Sequence, residues 1–370
     1  MKRFLIFILD IVLLGAAMFV CYLFAESSFT AAIEQTMMLY FLLCLAAGAT
    51  LFYLAAQLLH EWGHAVFGRR VGFVLLERTL FSRARTYRNG QLVRKVRRPF
   101  TLASVSMVPV GEHELKKRLM FYAVGGIVFS AAFLALCLAA VWLCSAFANM
   151  YIVAFVCPSL VCAFAVFKNA VIPDIRRGSY SDAYMWLALK TDSDFGAMTL
   201  LLAEISAGLW AGKTPSQLRA DLYFKTPILS DTEAPVLHMN TYRFYYYLDR
   251  ADTDNAFKTA MRLAESIGGI TDPDMAVLPY FYVLLTLCLR KGSSDERAHA
   301  KGIAAICEKA VPEDSFAYLS LAYYYSVVTY DRAKRGTYLE KSKTCAVLLP
   351  DGVKTLAEKL VAETPDIPLK

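Results

Sequence analysis

Four apolar runs occupy most of the first 170 residues of the chain, at Phe4–Ala25, Met37–Phe67, Phe121–Ala148 and Tyr151–Phe167. Each is close to or above the roughly 20 residues a helix needs to cross the hydrocarbon of a bilayer. Backbone polar groups in hydrocarbon must be satisfied within their own element, so the runs predict four spanning helices in a mainly α, polytopic membrane bundle. Composition agrees. Of 370 residues, 57% are hydrophobic and 19% charged, and the mean hydropathy is +0.42, which is too apolar for an ordinary soluble chain. The first run follows Met1, Lys2 and Arg3, as a signal peptide would. It exceeds the usual h-region of about 7 to 15 residues and no A-x-A site follows, so an extra N-terminal anchor helix over 4–25 is expected.

The basic residues predict orientation. Lys2 and Arg3 precede the first run; Arg69, Arg70, Arg78, Arg83, Arg85, Arg88, Arg94, Lys95, Arg97 and Arg98 follow the second; Lys116, Lys117 and Arg118 lead into the third. The positive-inside rule then places both termini and this loop in the cytoplasm. A topology signal plus contact with anionic lipid accounts for the loop, so the net charge of +7 gives no reason to expect nucleic acid as a partner. Within the loop, 71–110 alternates in short β-like stretches around a turn at Asn89 and Gly90, which predicts a hairpin or small sheet at the membrane surface. Six of the nine cysteines lie in the apolar runs and none forms a C-x-x-C pair, the pattern of small apolar residues in a reduced chain.

After about residue 190 the character changes to amphipathic helices broken by "KTP", "ITDPD" and "LLPDG". The expected division is a transmembrane domain over 1–190, with its core at 37–190, and a cytoplasmic helical-hairpin domain over 191–370. Three stretches starting at Tyr242, Tyr280 and Leu321 each pair a tyrosine- or leucine-rich helix with a turn and a second helix, with Arg250, Arg290 and Arg332 at the turns. A period of about 40 residues suits stacked hairpins resembling a degenerate tetratricopeptide-type solenoid, a surface suited to a protein partner.

The chemistry is concentrated in "HEWGH". His60 and His64 are spaced i and i+4, so on a helix both imidazoles project from one face, with Glu61 one step round. Polar groups at this depth cost about 2.5 to 3.5 kcal/mol each on insertion scales when charged, and they persist mainly where they line a functional site. Two neutral histidines can bind zinc, which needs a third protein ligand and an open position for a water whose pKa falls to about 7. Glu61 would be the general base. His64 is five residues from Arg69, which at about 1.5 Å per residue sets the metal roughly 8 to 10 Å inside the cytoplasmic edge.

The chain here resembles the site-2 protease family of intramembrane zinc metalloproteases, over about residues 37–190. "HEWGH" matches the family's zinc helix. "FYAVGGIVFSAAFLAL", with Gly125 and Gly126, is similar to its glycine-containing core helix, with Ile127 and Ser130 where a proline and an asparagine are usual. "FKNAVIPDIRRGSYSDAYMWLAL" is similar to its N-x-x-P segment followed by Asp-Gly, although Asn169 and Pro173 are one residue further apart and Ala183 replaces the glycine. The resemblance implies zinc held by His60, His64 and Asp182, with Asp174 as the alternative third ligand, and a substrate strand positioned by Asn169 and Pro173.

These readings lead to an integral membrane protein, bacterial by the resemblance, that hydrolyses a transmembrane or membrane-anchored protein near the cytoplasmic leaflet. The competing expectation is a catalytically inactive relative acting as a membrane scaffold. His113 reads as a solvated helix start, His238 and His299 have no metal-ligand partners at helical spacing, and neither a Gly-rich phosphate loop nor a G-x-S-x-G elbow occurs. Two related halves, as a transporter would carry, are not discernible.

Overall fold

A computed structural model describes residues 38–88, 90–97, 101–111, 113–145, 150–172, 175–176, 179–231, 233–266, 273–290 and 294–367. The expected anchor helix at 4–25 lies outside them. The described chain is mainly helical, with a small antiparallel sheet, and divides into two compact units.

The first unit comprises residues up to 107, 117–174 and 180–187. It holds most of three long helices, α1 (Met38–Arg70), α2 (Leu115–Ser145) and α3 (Met150–Val171), each long and apolar enough to cross a membrane. Leu39, Leu42 and Leu43 of α1 and Leu136, Trp142 and Leu143 of α2 are about half exposed or more. A stripe of this kind on a water-soluble protein would drive association, whereas lipid covers it at no cost. The helices meet through small residues. A Cβ at Gly48 would stand 2.0 Å from the Phe155 carbonyl oxygen of α3, so only glycine lets the two backbones approach this closely.

Between α1 and α2 the predicted small sheet is four-stranded: β1 (Phe73–Leu80), β2 (Arg83–Arg88), β3 (Gln91–Arg97) and β4 (Ala103–Pro109), in the order β3-β2-β1-β4. β1 pairs antiparallel with β2, as Arg78 with Arg85, and β2 with β3, as Arg85 with Lys95. Phe81 and Ser82 close the first hairpin with φ of 47° and 61°, the left-handed pair that matches strand twist in a two-residue turn. Gly90 (φ 78°) closes the second, while Asn89 lies outside the described residues. Arg118 of α2 ties the sheet to the bundle: its Nε donates to the Val71 carbonyl at 2.7 Å, and its guanidinium sits 5.3 Å over the Phe73 ring.

The second unit comprises 108–116, 175–179 and 188–370. After the short helix α4 (Asp182–Lys190), which spans the division, come α5 (Asp194–Trp210), α6 (Asp221–Phe224), α7 (Ala234–Asp249), α8 (Thr253–Ser266), α9 (Pro273–Leu289), α10 (Ser294–Cys307), α11 (Ser315–Val327), α12 (Arg332–Ala346) and α13 (Asp351–Glu363). Consecutive helices pair as α7 with α8, α9 with α10 and α11 with α12, and α9 packs on both α8 and α11. α9 is apolar because it is surrounded: Phe281, Tyr282, Val283, Leu284 and Leu285 are all within 1% of full burial. At about 1.5 to 3 kcal/mol for each large side chain, these five dominate the local energetics. Their neighbours are aromatic, with Phe244 stacked 4.3 Å from Tyr282 and the Tyr245 and Tyr282 hydroxyls 3.0 Å apart. Arg290 closes one pair, reaching Asp254 at 3.2 Å and Glu296 at 3.5 Å while its guanidinium covers Phe257.

Candidate metal centre

α1 continues unbroken through "HEWGH", so His60 and His64 sit one turn apart on one face, their ring centroids 4.9 Å from each other. α2 crosses this face without side chains in between. A Cβ at Gly63 would lie 2.2 Å from the Gly125 carbonyl oxygen, and one at Gly125 would lie 2.6 Å from that of Gly63. Gly126 is more telling. A Cβ there would meet His64 Nε2 at 2.5 Å, His60 Cε1 at 2.6 Å and Asp182 Oδ2 at 2.8 Å. The glycine therefore leaves open the space in which three potential ligands converge.

The rings are oriented from behind. His64 Nδ1 lies 3.1 Å from the Tyr122 carbonyl oxygen, which can only accept, so the proton is on Nδ1 and the Nε2 lone pair points into the site. His60 Nδ1 lies 3.0 Å from the Ser130 hydroxyl, a group that can donate or accept, so this contact sets the ring angle without assigning its proton. Such partners behind a ligating histidine fix tautomer and ring angle. Asp182 arrives from elsewhere in the chain as the first residue of α4, whose start Ser181 caps: its hydroxyl accepts the Tyr184 amide at 3.2 Å.

The Asp182 carboxylate faces both rings, with Oδ1 3.3 Å from His64 Nε2 and Oδ2 3.4 Å from His60 Nε2. These distances exceed the roughly 2.7 to 3.2 Å of a good N–H···O bond. They match the spacing of about 3.3 to 3.4 Å that two donors take when each lies about 2.0 to 2.1 Å from one tetrahedral ion. Asp182 Oδ2 is buried and has no hydrogen-bond partner among the described residues, a costly arrangement for a carboxylate oxygen that a cation would relieve. The three ligating atoms lie within 4.8 Å of one another, and two imidazoles with one carboxylate form a donor set suited to zinc.

Glu61 lies beside this group, held from the sheet: the Val105 backbone N–H of β4 donates to Oε2 at 2.7 Å, the length of a charge-assisted bond. Met107 of the same strand packs where a Cβ at Gly68 would fall, 2.6 Å from its sulfur, which seats β4 against α1. Next to Glu61, a cavity of 110 Å³ is lined by apolar and basic residues, among them Leu58, Trp62, Arg69, Leu75, Arg78 and Ala103.

Of the residues expected from sequence, the structure brings together His60, His64 and Asp182, with Glu61 beside them. Asn169 is exposed in the last turn of α3; Pro173 and Asp174 lie outside the described residues. Ser130 has a role that its departure from the family pattern left unread, because a hydroxyl suffices to orient His60. Tyr122 and Val105 act through backbone atoms, which no residue pattern signals. The chain matches none of the protein-family models, curated proteins or solved structures with which it was compared.

Proposed function

We propose that the protein is an intramembrane zinc metalloendopeptidase that hydrolyses a peptide bond of a transmembrane or membrane-anchored protein near the cytoplasmic leaflet. The observation that carries this reading is the convergence of two Nδ1-anchored histidines on a carboxylate whose buried Oδ2 has no hydrogen-bond partner among the described residues, next to Glu61. His60 Nε2, His64 Nε2 and Asp182 would hold the ion. When bound, zinc supplies Lewis-acid polarisation of the scissile carbonyl and acidifies a water.

The remaining steps fall to the chain. With Oε2 of Glu61 accepting from Val105, Oε1 is the atom that takes the proton from the attacking water and returns it to the leaving amine nitrogen. The Val105 bond keeps the carboxylate from swinging away, and Ser130 and the Tyr122 carbonyl keep both imidazoles in register. By the resemblance, Asn169 and Pro173 position the substrate strand. The helix pairs of α7 to α12 support a tetratricopeptide-like domain that recruits a partner or substrate on the cytoplasmic side.

The test has two parts. The purified chain should carry stoichiometric zinc, measured by plasma mass spectrometry, and lose it on His64→Ala. Glu61→Gln should keep the metal and lose nearly all cleavage of a co-expressed membrane substrate. A chain without metal would favour the inactive scaffold, and wild-type cleavage by Glu61→Gln would remove the proposed base.

A further inference from the structure

The outward face of the sheet carries charge that nothing among the described residues answers. Thr79 and Ala84 are buried, so their face of β1 and β2 is turned inward, and the residues alternating with them point out. Register aligns Arg78, Arg85 and Lys95 in one row across β1, β2 and β3, with Arg83 in the next row opposite Leu80. All four cations are exposed, and none has an ion pair or hydrogen bond among the described residues. Like charges directly opposite one another in a sheet are destabilising. A row of three persists at a cost that a bound anion would remove.

The same face is apolar in between. Leu80, Phe81 and Tyr87 line a hollow of 430 Å³ together with Arg78, Arg83 and Arg85, and Leu92 stands opposite Tyr87. Arginine alternating with aromatic and aliphatic groups is the composition of a membrane–water interface, where a headgroup meets the cations and the upper acyl region meets the rings. Chain connectivity keeps the sheet near that interface. β1 begins three residues after α1 ends, and α2 begins six residues after β4 ends, so short links tether the sheet to two membrane-spanning helices.

We propose that this face is a binding site for the headgroup of an anionic phospholipid, engaging Arg78, Arg83, Arg85 and Lys95 around the Phe81–Tyr87 hollow. It is a discrete, saturable site, distinct from the diffuse attraction of a basic loop to a charged surface. It stands independently of the proteolytic reading, because its test measures lipid and not cleavage.

The full chain in detergent would be titrated with phosphatidylglycerol or phosphatidylcholine, reading bound lipid by native mass spectrometry and the melting temperature in parallel. Expected is preferential retention of phosphatidylglycerol, with a rise in melting temperature that saturates. The combined change Arg78→Gln, Arg85→Gln and Lys95→Gln should weaken retention roughly a hundredfold, since each basic residue near an anionic surface contributes about fivefold. Its melting temperature without lipid should equal or exceed that of the wild type, because the like-charge row is gone, and this outcome separates lost binding from misfolding. Arg94→Gln, aligned with Thr86 and Glu77 on the inward face, should leave binding unchanged. Equal retention of the two lipids, wild-type retention by the triple variant, or retention of a polyglutamate peptide or inorganic phosphate in preference to phosphatidylglycerol would overturn the proposal.

Discussion

Ser130 Oγ stands 3.0 Å from His60 Nδ1, joining residues 70 positions apart in sequence. The hydroxyl is buried in α2 and its partner belongs to α1, so the bond fixes the ring angle and the crossing of the two helices together. Ser130→Ala should weaken zinc affinity by about 10- to 100-fold, as loss of such a partner does elsewhere, while the helix content stays unchanged. Competition with a chromogenic chelator would measure it, and unchanged affinity would show that helix packing alone holds the ring.

Gly126→Ala tests the cradle. Alanine is the better helix former by about 1 kcal/mol, so circular dichroism should show an intact helical protein. The added methyl falls 2.5 to 2.8 Å from atoms of His64, His60 and Asp182, and bound metal should be lost. A variant retaining full zinc would mean that the three side chains do not converge as described.

Asp182→Asn should weaken metal binding and abolish cleavage, because an amide is a much poorer zinc ligand than a carboxylate. Asp174→Asn should leave both largely intact. The two variants can be read by metal content before any substrate is known, and the opposite pattern would move the third ligand to Asp174.

The helical unit offers a pH-dependent test of its own. Asp252 caps α8: its carboxylate accepts the Asn255 side-chain amide at 2.7 Å and the Asn255 backbone N–H at 3.1 Å, and these bonds hold its pKa below the ordinary carboxylate value. A depressed carboxylate contributes stability at pH values above its unfolded pKa of about 3.9, and the contribution fades as pH falls through the lower folded value. Asp252→Ala should therefore cost about 1 kcal/mol at neutral pH. The difference from wild type in denaturant midpoint should shrink towards pH 3. A deficit that is independent of pH would assign the effect to something other than the ionised cap.

Cys288 and Cys307 are buried, and burial pushes both thiols up to about 12. Thiolate is the reactive form, so at pH 8 neither should react with a maleimide in the folded protein, and both should react in denaturant. Peptide mapping of labelled and unlabelled chains would check this. Fast labelling under native conditions would mean that the unit opens readily.

The three long apolar helices and the pairing of His60 with His64 were legible because their signals are local: run length, and a four-residue spacing that one helical turn converts into proximity. Asp182 was harder, since two aspartates follow Asn169 and spacing does not choose between them, whereas the path of the chain through the start of α4 brings Asp182 to the histidines. The Val105 amide and the Tyr122 carbonyl were not legible, because every residue has such groups and only tertiary placement gives them a task. Ser130 lay between these cases, visible as a departure from a family pattern yet uninterpretable until His60 stood beside it. A hairpin or small sheet was expected there, but the row of three cations depends on strand register, which the alternation of 71–110 does not determine.

The glycine contact between Gly63 and Gly125 also sets a gauge. Backbones touching across two missing side chains can come no closer, so this contact sets the least separation of α1 and α2 beside the site. A side chain added at either glycine would have to pry the helices apart and so carry Ser130 and the Tyr122 carbonyl of α2 away from the two rings they hold.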